Sequence, residues 1–129
     1  NFGVQIDNSD IFLGIPVDRK SKNTGLYTCK FKTEVKDTVL CKMKNLYQWI
    51  CENNIKEIDL VKIDTEGSEY DIFSSSVDAL KFIKAIHIEL NESFEECDMV
   101  KKLLEQHNFY YLESSRKANQ IWVNRLFVK

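Results

Sequence analysis

Three carboxylates follow an apolar segment near the middle of the chain, and they are the residues best suited to do chemistry. The segment Ile58–Glu69 reads IDLVKIDTEGSE, and its acids after the apolar run are Asp64, Glu66 and Glu69. A parallel strand that is buried on both faces has a nearly continuous apolar sequence. Open α/β sheets bind their ligands beyond the carboxyl ends of such strands. The pattern therefore predicts a buried strand over 58–64 that delivers acidic groups to a ligand-binding edge.

A second predicted strand, Ile83–Leu90, carries Glu89 near its carboxyl end and is followed by Asn91. If this strand lies parallel and adjacent to the first, the two strand ends are about 5 Å apart. Two carboxylates that close either differ in protonation or bind a cation between them, which suits acid–base or metal-assisted chemistry. The structural alternative is that Asp64 caps the following helix and that Glu89 pairs with a lysine.

Four neighbouring polar residues also have two interpretations each. Glu66 and Glu69 either orient a substrate hydroxyl or are ordinary first-turn acids favoured by the helix dipole. Lys62 interrupts the apolar strand, so it is either a buried partner for one of the acids or a side chain whose charged head reaches water. His87 alternates with isoleucines, and this pattern favours packing beneath a helix over a role as a base.

The elements that must position these residues alternate between strand and helix. Short apolar runs between turn-forming residues predict the strands, which are Phe2–Ile6, Ile11–Val17, Leu26–Phe31, Thr38–Met43, Ile58–Asp64 and Ile83–Leu90. Capping residues and helical periodicity predict the helices, which are Asn45–Asn54, Ser68–Ser74, a turn or helix at Val77–Phe82, and Ser93–His107. Phe109–Leu112 and Ile121–Val128 are predicted to form a hairpin around a polar loop. These patterns alone indicate an α/β fold with a partly parallel sheet.

Composition fits one compact unit and argues against several classes of protein. The chain has 129 residues, of which 43% are hydrophobic and 29% charged, so neither a disordered nor a membrane protein is indicated. A net charge of −2 with dispersed lysines argues against a nucleic-acid partner. The cysteines, Cys29, Cys41, Cys51 and Cys97, have no metal-binding spacing. We expect reduced, structural cysteines and a cytoplasmic setting, with two disulfides as the alternative.

The acidic segment also resembles a known family signature. It is similar to the iDllKiDvEGaE motif of the FkbM-type S-adenosylmethionine-dependent methyltransferases. The matching positions are Ile58, Asp59, Leu60, Lys62, Ile63, Asp64, Glu66, Gly67 and Glu69. The segment AIHIELN (85–91) resembles the next strand of that family, which also ends in a glutamate, and the resemblance extends over about 39–91.

The resemblance implies a fold and a reaction. The fold is the carboxyl-terminal half of a Rossmann-like methyltransferase sheet, with parallel central strands and an antiparallel terminal hairpin. The reaction is methylation of a hydroxyl oxygen on a small molecule or glycan, with S-adenosyl-L-methionine as cofactor. Asp64 is the first choice for the base or acceptor-orienting group, and Glu66 or Glu89 is the second. No metal ligands are assigned, and the cofactor-binding residues are not identified.

The resemblance lacks one essential part. The family binds its cofactor with a glycine-rich loop, whereas the glycines here are far apart, at Gly3, Gly14, Gly25 and Gly67. We therefore expect residues 1–129 to be one domain that is a fragment of a larger methyltransferase domain and is inactive alone. The exposed flank of its central strand would then favour association between copies, unless it is covered by the hairpin that we predict from Phe2–Ile6 and Ile11–Val17, with a turn at 8–10.

Two other classes remain open. In the first alternative, the chain is a non-catalytic α/β interaction domain or a degenerate domain that has lost its site. In the other, Asp64 and Glu66 form the first metal motif of a DnaQ-like 3′–5′ exonuclease. That fold needs a later aspartate with a histidine or tyrosine partner, and the last aspartate of this chain is Asp98, with no fitting partner beyond it.

Overall fold

The computed structural model describes residues 3–4, 10–16, 35–65, 67–90, 96–116 and 118–128. The strands in these ranges are β1 (Gly3–Val4), β2 (Ile11–Pro16), β3 (Val35–Cys41), β4 (Met43–Lys44), β5 (Ile58–Ile63), β6 (Ile83–Glu89), β7 (Phe109–Arg116) and β8 (Asn119–Asn124). The helices are α1 (Leu46–Glu52), α2 (Glu69–Ser75), a 3₁₀ helix (Val77–Phe82) and α3 (Glu96–Gln106).

The main sheet has four strands in the order β5–β6–β8–β7. β5 and β6 are parallel and in register from Ile58 opposite Ile83 to Ile63 opposite Ile88. β8 lies antiparallel to both β6 and β7. The predicted parallel pair and the antiparallel terminal hairpin are therefore confirmed, within a mixed α/β sheet.

The hairpin boundaries differ from the prediction of 109–112 and 121–128. Both strands extend into the polar segment, where Arg116 lies opposite Asn119. The second strand ends early because the chain turns back on Asn124, whose side-chain oxygen accepts a hydrogen bond from the Leu126 backbone N–H at 3.0 Å. The backbone N–H of Phe127 also bonds to the Asn124 carbonyl, at 3.1 Å. The polar residues of the predicted loop are therefore compatible with pairing between β7 and β8. The buried Asn124 sets the end of β8.

One face of the sheet carries the core. Ile86 and Ile88 of β6 and Trp122 of β8 are buried, and they form one cluster with the apolar residues of the helices. Those helical residues include Leu46 and Ile50 of α1, Ile72 and Phe73 of α2, and Val100 and Leu104 of α3. On the alternate positions of the same strands, Ala85, His87 and Val123 are half-buried and Ile121 is exposed. The burial thus follows the period-two alternation of strands.

The prediction that the strand at 58–64 is central and buried on both faces is wrong. β5 lies at the end of the strand order, and no other described strand pairs with its outer side. Only Ile63 of β5 is buried, while Leu60 is 57% exposed. An edge strand is exposed along its unpaired side, so an apolar sequence alone does not make it central. β6, which is paired on both sides, is the inner strand of the parallel pair.

The first strands form two small sheets of their own. β1 pairs in parallel with β4, and β2 pairs antiparallel with β3. Over their described residues, β1 and β2 therefore pair with later segments and not with each other. The predicted strand Leu26–Phe31 lies outside the described residues.

The helices follow their predicted positions closely. Asn45 caps α1 by accepting a hydrogen bond from the Gln48 backbone N–H at 3.1 Å, as the spacing indicated. α2 and the 3₁₀ helix occupy the two segments predicted between the parallel strands. The capping role predicted for Ser93 falls outside the described residues, and the described part of the following helix begins at Glu96.

Candidate functional site

The carboxyl edge of β5 and β6 brings two predicted site residues to one place in the fold. Ile63 lies opposite Ile88, so Asp64 and Glu89 are the next residues along two adjacent parallel strands. Neighbouring strands are about 4.8 Å apart. Both side chains are exposed to solvent. The arrangement presents two carboxylates at the edge where ligands bind in parallel α/β sheets.

Asp64 has one ion-pair partner among the described residues. The Lys62 ammonium lies 3.3 Å from its carboxylate, and the two side chains are 59% and 40% exposed, respectively. The expectation of a buried lysine is therefore wrong, and the head of Lys62 reaches water, as the alternative required. An exposed pair of this kind contributes about 0–1 kcal/mol to stability, so it orients Asp64 without committing its carboxylate. Within the described part of the chain, Glu89 forms no ion pair with a lysine.

Glu69 is buried, with 6% of its surface exposed. Its carboxylate accepts hydrogen bonds from the Thr65 backbone N–H at 3.1 Å and from the Thr65 hydroxyl at 2.9 Å. It also accepts one from the Gly67 backbone N–H, at 3.0 Å and 3.2 Å to its two oxygens. Glu69 thus faces inward onto the loop that precedes α2. Neither predicted role, an acceptor-orienting group or a simple first-turn acid, describes these contacts.

Glu66 lies outside the described residues, so its assignment remains a prediction. Its neighbour Gly67 has a backbone φ of +105°, which side-chain-bearing residues rarely adopt. A Cβ atom built at Gly67 would meet nothing within 4 Å. Glycine is therefore needed at this position for its backbone conformation and not for space.

His87 is a polar residue of this region whose placement the sequence did not predict. It is half-buried, lies opposite Lys62 in the strand register, and alternates with the buried Ile86 and Ile88. One ring nitrogen, Nε2, is 3.2 Å from the Asn119 side-chain oxygen. His87 therefore projects on the face opposite the helix-covered core, and the expectation that it packs beneath a helix is wrong. The isoleucines on both sides of His87 could have indicated this placement, because a half-buried strand alternates apolar with polar positions.

The charges at the opposite end of β5 form a separate cluster. Lys84 of β6 lies 2.8 Å from Asp59 and 2.9 Å from Glu57. Hydrogen bonds to Asp59 and then to Glu57 raise the pKa of Lys84 above its ordinary value. These ion pairs hold β5 to β6 and leave the acids at the carboxyl edge out of the cluster.

Other features of the described ranges bear on the possible chemistry. No three histidine, cysteine or acidic side chains converge there as metal ligands. Cys41, Cys51 and Cys97 are free thiols, and Cys29 is outside the described residues. In the described part of the chain, no helix has the length and apolar character that a membrane crossing requires.

The fold and the acidic edge are consistent with a methyltransferase-like α/β domain. The chain matches the family model of the methyltransferase FkbM domain over residues 4–111, which is most of its length, and it belongs to this family. The match extends well beyond the segment 39–91 on which the resemblance was based. No curated protein and no solved structure matches the chain.

Proposed function

We propose that this domain belongs to an S-adenosylmethionine-dependent methyltransferase that methylates a hydroxyl oxygen. The observation that carries the proposal is the exposure of Asp64 and Glu89 at one carboxyl edge of a parallel strand pair. Family membership supports methyl transfer as the reaction class. The strand order β5–β6–β8–β7 supports a Rossmann-like arrangement for the sheet. We further propose that residues 1–129 act as one domain.

The side chains at this edge fit the acceptor side of such a reaction. S-adenosylmethionine, when bound, supplies the methyl group from its sulfonium centre. Asp64 would accept the proton from the acceptor hydroxyl, and Glu89 or Glu66 would orient that hydroxyl. A positioned base contributes about 10²–10⁴-fold to such a rate. The sequence fits the cofactor less well than it fits the acceptor, because it contains no glycine-rich loop.

The proposed partners follow from the same surface. An exposed acidic edge suits a neutral hydroxylated acceptor, either a small molecule or a glycan. The net charge of −2 supports the absence of a nucleic-acid partner. We place the protein in the cytoplasm on the basis of its free thiols. A second copy of the chain is proposed as a partner at the open edge of β5.

The test is transfer of radiolabelled methyl groups from S-adenosylmethionine to a panel of hydroxylated small molecules and glycans. The assay is run on this chain and, in parallel, on the intact gene product that contains it. The active sample is whichever of these two transfers methyl groups. In it, Asp64→Asn should lower the rate of methyl transfer by about 10²–10⁴-fold and change the free energy of unfolding by less than about 0.5 kcal/mol.

Asp59→Asn is the matched control. Asp59 is also an exposed acid associated with β5, but it pairs with Lys84 away from the carboxyl edge. This variant should keep the full rate. Equal rates for the wild type and Asp64→Asn would refute the proposed base. The absence of methyl transfer from both samples would favour the non-catalytic alternative.

A further inference from the structure

We propose that Glu69 is a positioning residue whose buried carboxylate fixes the connection between β5 and α2 and so presents Asp64 at the sheet edge. The consequence for catalysis rests on the proposed function, but the contacts themselves do not. This role goes beyond supplying a charge near a helix terminus, because Glu69 binds the loop on both sides of position 66.

The contacts of Glu69 are those of a buried, hydrogen-bonded acid. The carboxylate receives three donors, which are the backbone N–H and hydroxyl of Thr65 and the backbone N–H of Gly67, at distances of 2.9–3.2 Å. Thr65 follows Asp64 directly, so one of these bonds fixes the backbone immediately beyond the proposed base. The acceptor is the first residue of α2, and the donors lie in the loop that precedes this helix.

The energetics explain why a buried carboxylate is used. Burying a charged group is costly unless hydrogen bonds or a counter-charge compensate. Among the described residues Glu69 forms no salt bridge, so its three donors provide the compensation, and bonds to an ionised acceptor are about twice as strong as neutral ones. Removing the carboxylate would leave two backbone N–H groups without this partner.

Gly67 makes the geometry possible. Its positive φ allows the backbone N–H to point inward at the Glu69 carboxylate. Amides two and four residues before Glu69 therefore converge on one side chain. This geometry gives a physical reason for the spacing D-T-E-G-S-E over 64–69, in which the first acid faces the edge and the last acid holds the loop.

The direct test is backbone amide hydrogen exchange of the ¹⁵N-labelled chain, followed by NMR. In Glu69→Ala, the Thr65 and Gly67 amides should exchange at least about tenfold faster than in the wild type, because a hydrogen bond to a charged group is lost. Glu69→Gln keeps one acceptor oxygen, so the increase should be smaller, and this variant also serves if Glu69→Ala does not fold.

Asp71→Asn is the matched control, because Asp71 is the other acid in the first turn of α2. Asp71 has the same relation to the helix dipole, whereas the Thr65 and Gly67 amides donate to Glu69, so in Asp71→Asn their exchange should stay at the wild-type rate. Unchanged exchange in Glu69→Ala would overturn the proposal. An equal increase in Asp71→Asn would overturn it too, because the effect would then belong to the helix dipole.

A kinetic measurement separates this proposal from the proposed function. In the active sample, Glu69→Gln should lower kcat by an amount on the order of 10²-fold while KM for S-adenosylmethionine stays constant. If exchange changes as expected and the wild type transfers no methyl groups, the loop contacts stand and the proposed reaction fails. If the wild type is active and kcat of Glu69→Gln is unchanged, the positioning role is refuted.

Discussion

At the scale of single residues, the loop between β5 and α2 shows how chemistry and conformation are divided among neighbours. Asp64 is exposed and paired only with Lys62 among the described residues, whereas Glu69, five positions later, is buried and hydrogen-bonded to the backbone. Similar carboxylates therefore have opposite environments within one short segment. The sequence pattern treated these acids as one group, and it did not distinguish the carboxylate that faces solvent from the carboxylate that holds the loop.

Gly67 leads to a stability prediction that separates conformation from packing. Gly67→Ala should lower the free energy of unfolding by about 1–3 kcal/mol, since an L-residue at a φ of +105° is strained. No steric clash contributes, because the space around an added Cβ is empty. Chemical denaturation is the measurement.

Asn108 supplies the control, because here a side-chain-bearing residue is replaced by glycine. It also has a positive φ, +70°, where it follows α3. Asn108→Gly should leave the free energy of unfolding unchanged or slightly raised, because glycine adopts this conformation without strain. A neutral Gly67→Ala would show that the loop adapts to a side chain and would contradict the prediction.

At the scale of secondary-structure elements, β6 and β8 are joined to the 3₁₀ helix by a buried amide. The side-chain nitrogen of Asn124 donates to the carbonyl oxygens of Leu80 at 3.3 Å and Ile83 at 3.1 Å. Its oxygen accepts from the Leu126 N–H. The side chain is fully buried, so the end of β8 is tied to the start of β6 through polar contacts within the core.

Removing this amide should be costly. Asn124→Ala leaves two carbonyl oxygens and one N–H without these bonds, and an unsatisfied buried group costs about 1–3 kcal/mol. We expect the free energy of unfolding to fall by at least that amount, as measured by urea denaturation. Asn53→Ala is the control, because Asn53 is exposed and its side chain donates to the Trp49 carbonyl within the same helix end. A smaller loss at Asn124 than at Asn53 would contradict the assignment.

At the scale of the whole molecule, the sheet has one helix-covered face, and among the described residues its two edge strands are β5 and β7. The buried helical residues cluster with Ile86, Ile88 and Trp122, while β5 ends the strand order. Pairing groups at such an edge are available to another chain. The acidic carboxyl edge lies at the end of this same strand, so the open edge and the candidate site are neighbours.

The open edge predicts self-association. Leu60 is 57% exposed on β5, so sedimentation velocity should show a sedimentation coefficient that rises with concentration. Leu60→Lys places a charge at the edge and should give a monomer at every concentration. Leu126→Lys changes an equally apolar, 65% exposed residue outside the strands, and it should behave like the wild type. A wild type that is monomeric throughout would refute the edge as an interface.

Cofactor affinity is the second prediction at this scale. The sequence has no glycine-rich loop, because its glycines occupy Gly3, Gly14, Gly25 and Gly67. We therefore expect titration calorimetry of this chain with S-adenosylmethionine to show binding weaker than about micromolar, or none, since a glycine-rich loop is what would gather backbone amides around the cofactor. Micromolar binding would contradict this expectation and would locate the cofactor site within these residues.

The sequence by itself determined the local features of this protein. The capping spacing at Asn45, the apolar runs of the two parallel strands and the segment 58–69 predicted elements, their pairing and the family. These features are recorded within a few neighbouring residues, by periodicity and by turn chemistry. The two apolar runs also placed Asp64 and Glu89 at strand ends, from which the parallel register brings them to one edge.

The tertiary structure alone decided which sides of these elements are covered. β5 has the apolar sequence of an inner strand and yet ends the strand order, because burial depends on which strand pairs alongside it. Glu69 and Asn124 are polar residues that became buried because distant or preceding backbone groups converge on them. Exposure and hydrogen-bond satisfaction are set by atoms that are separated along the chain and meet only in the fold, so a linear pattern does not specify them.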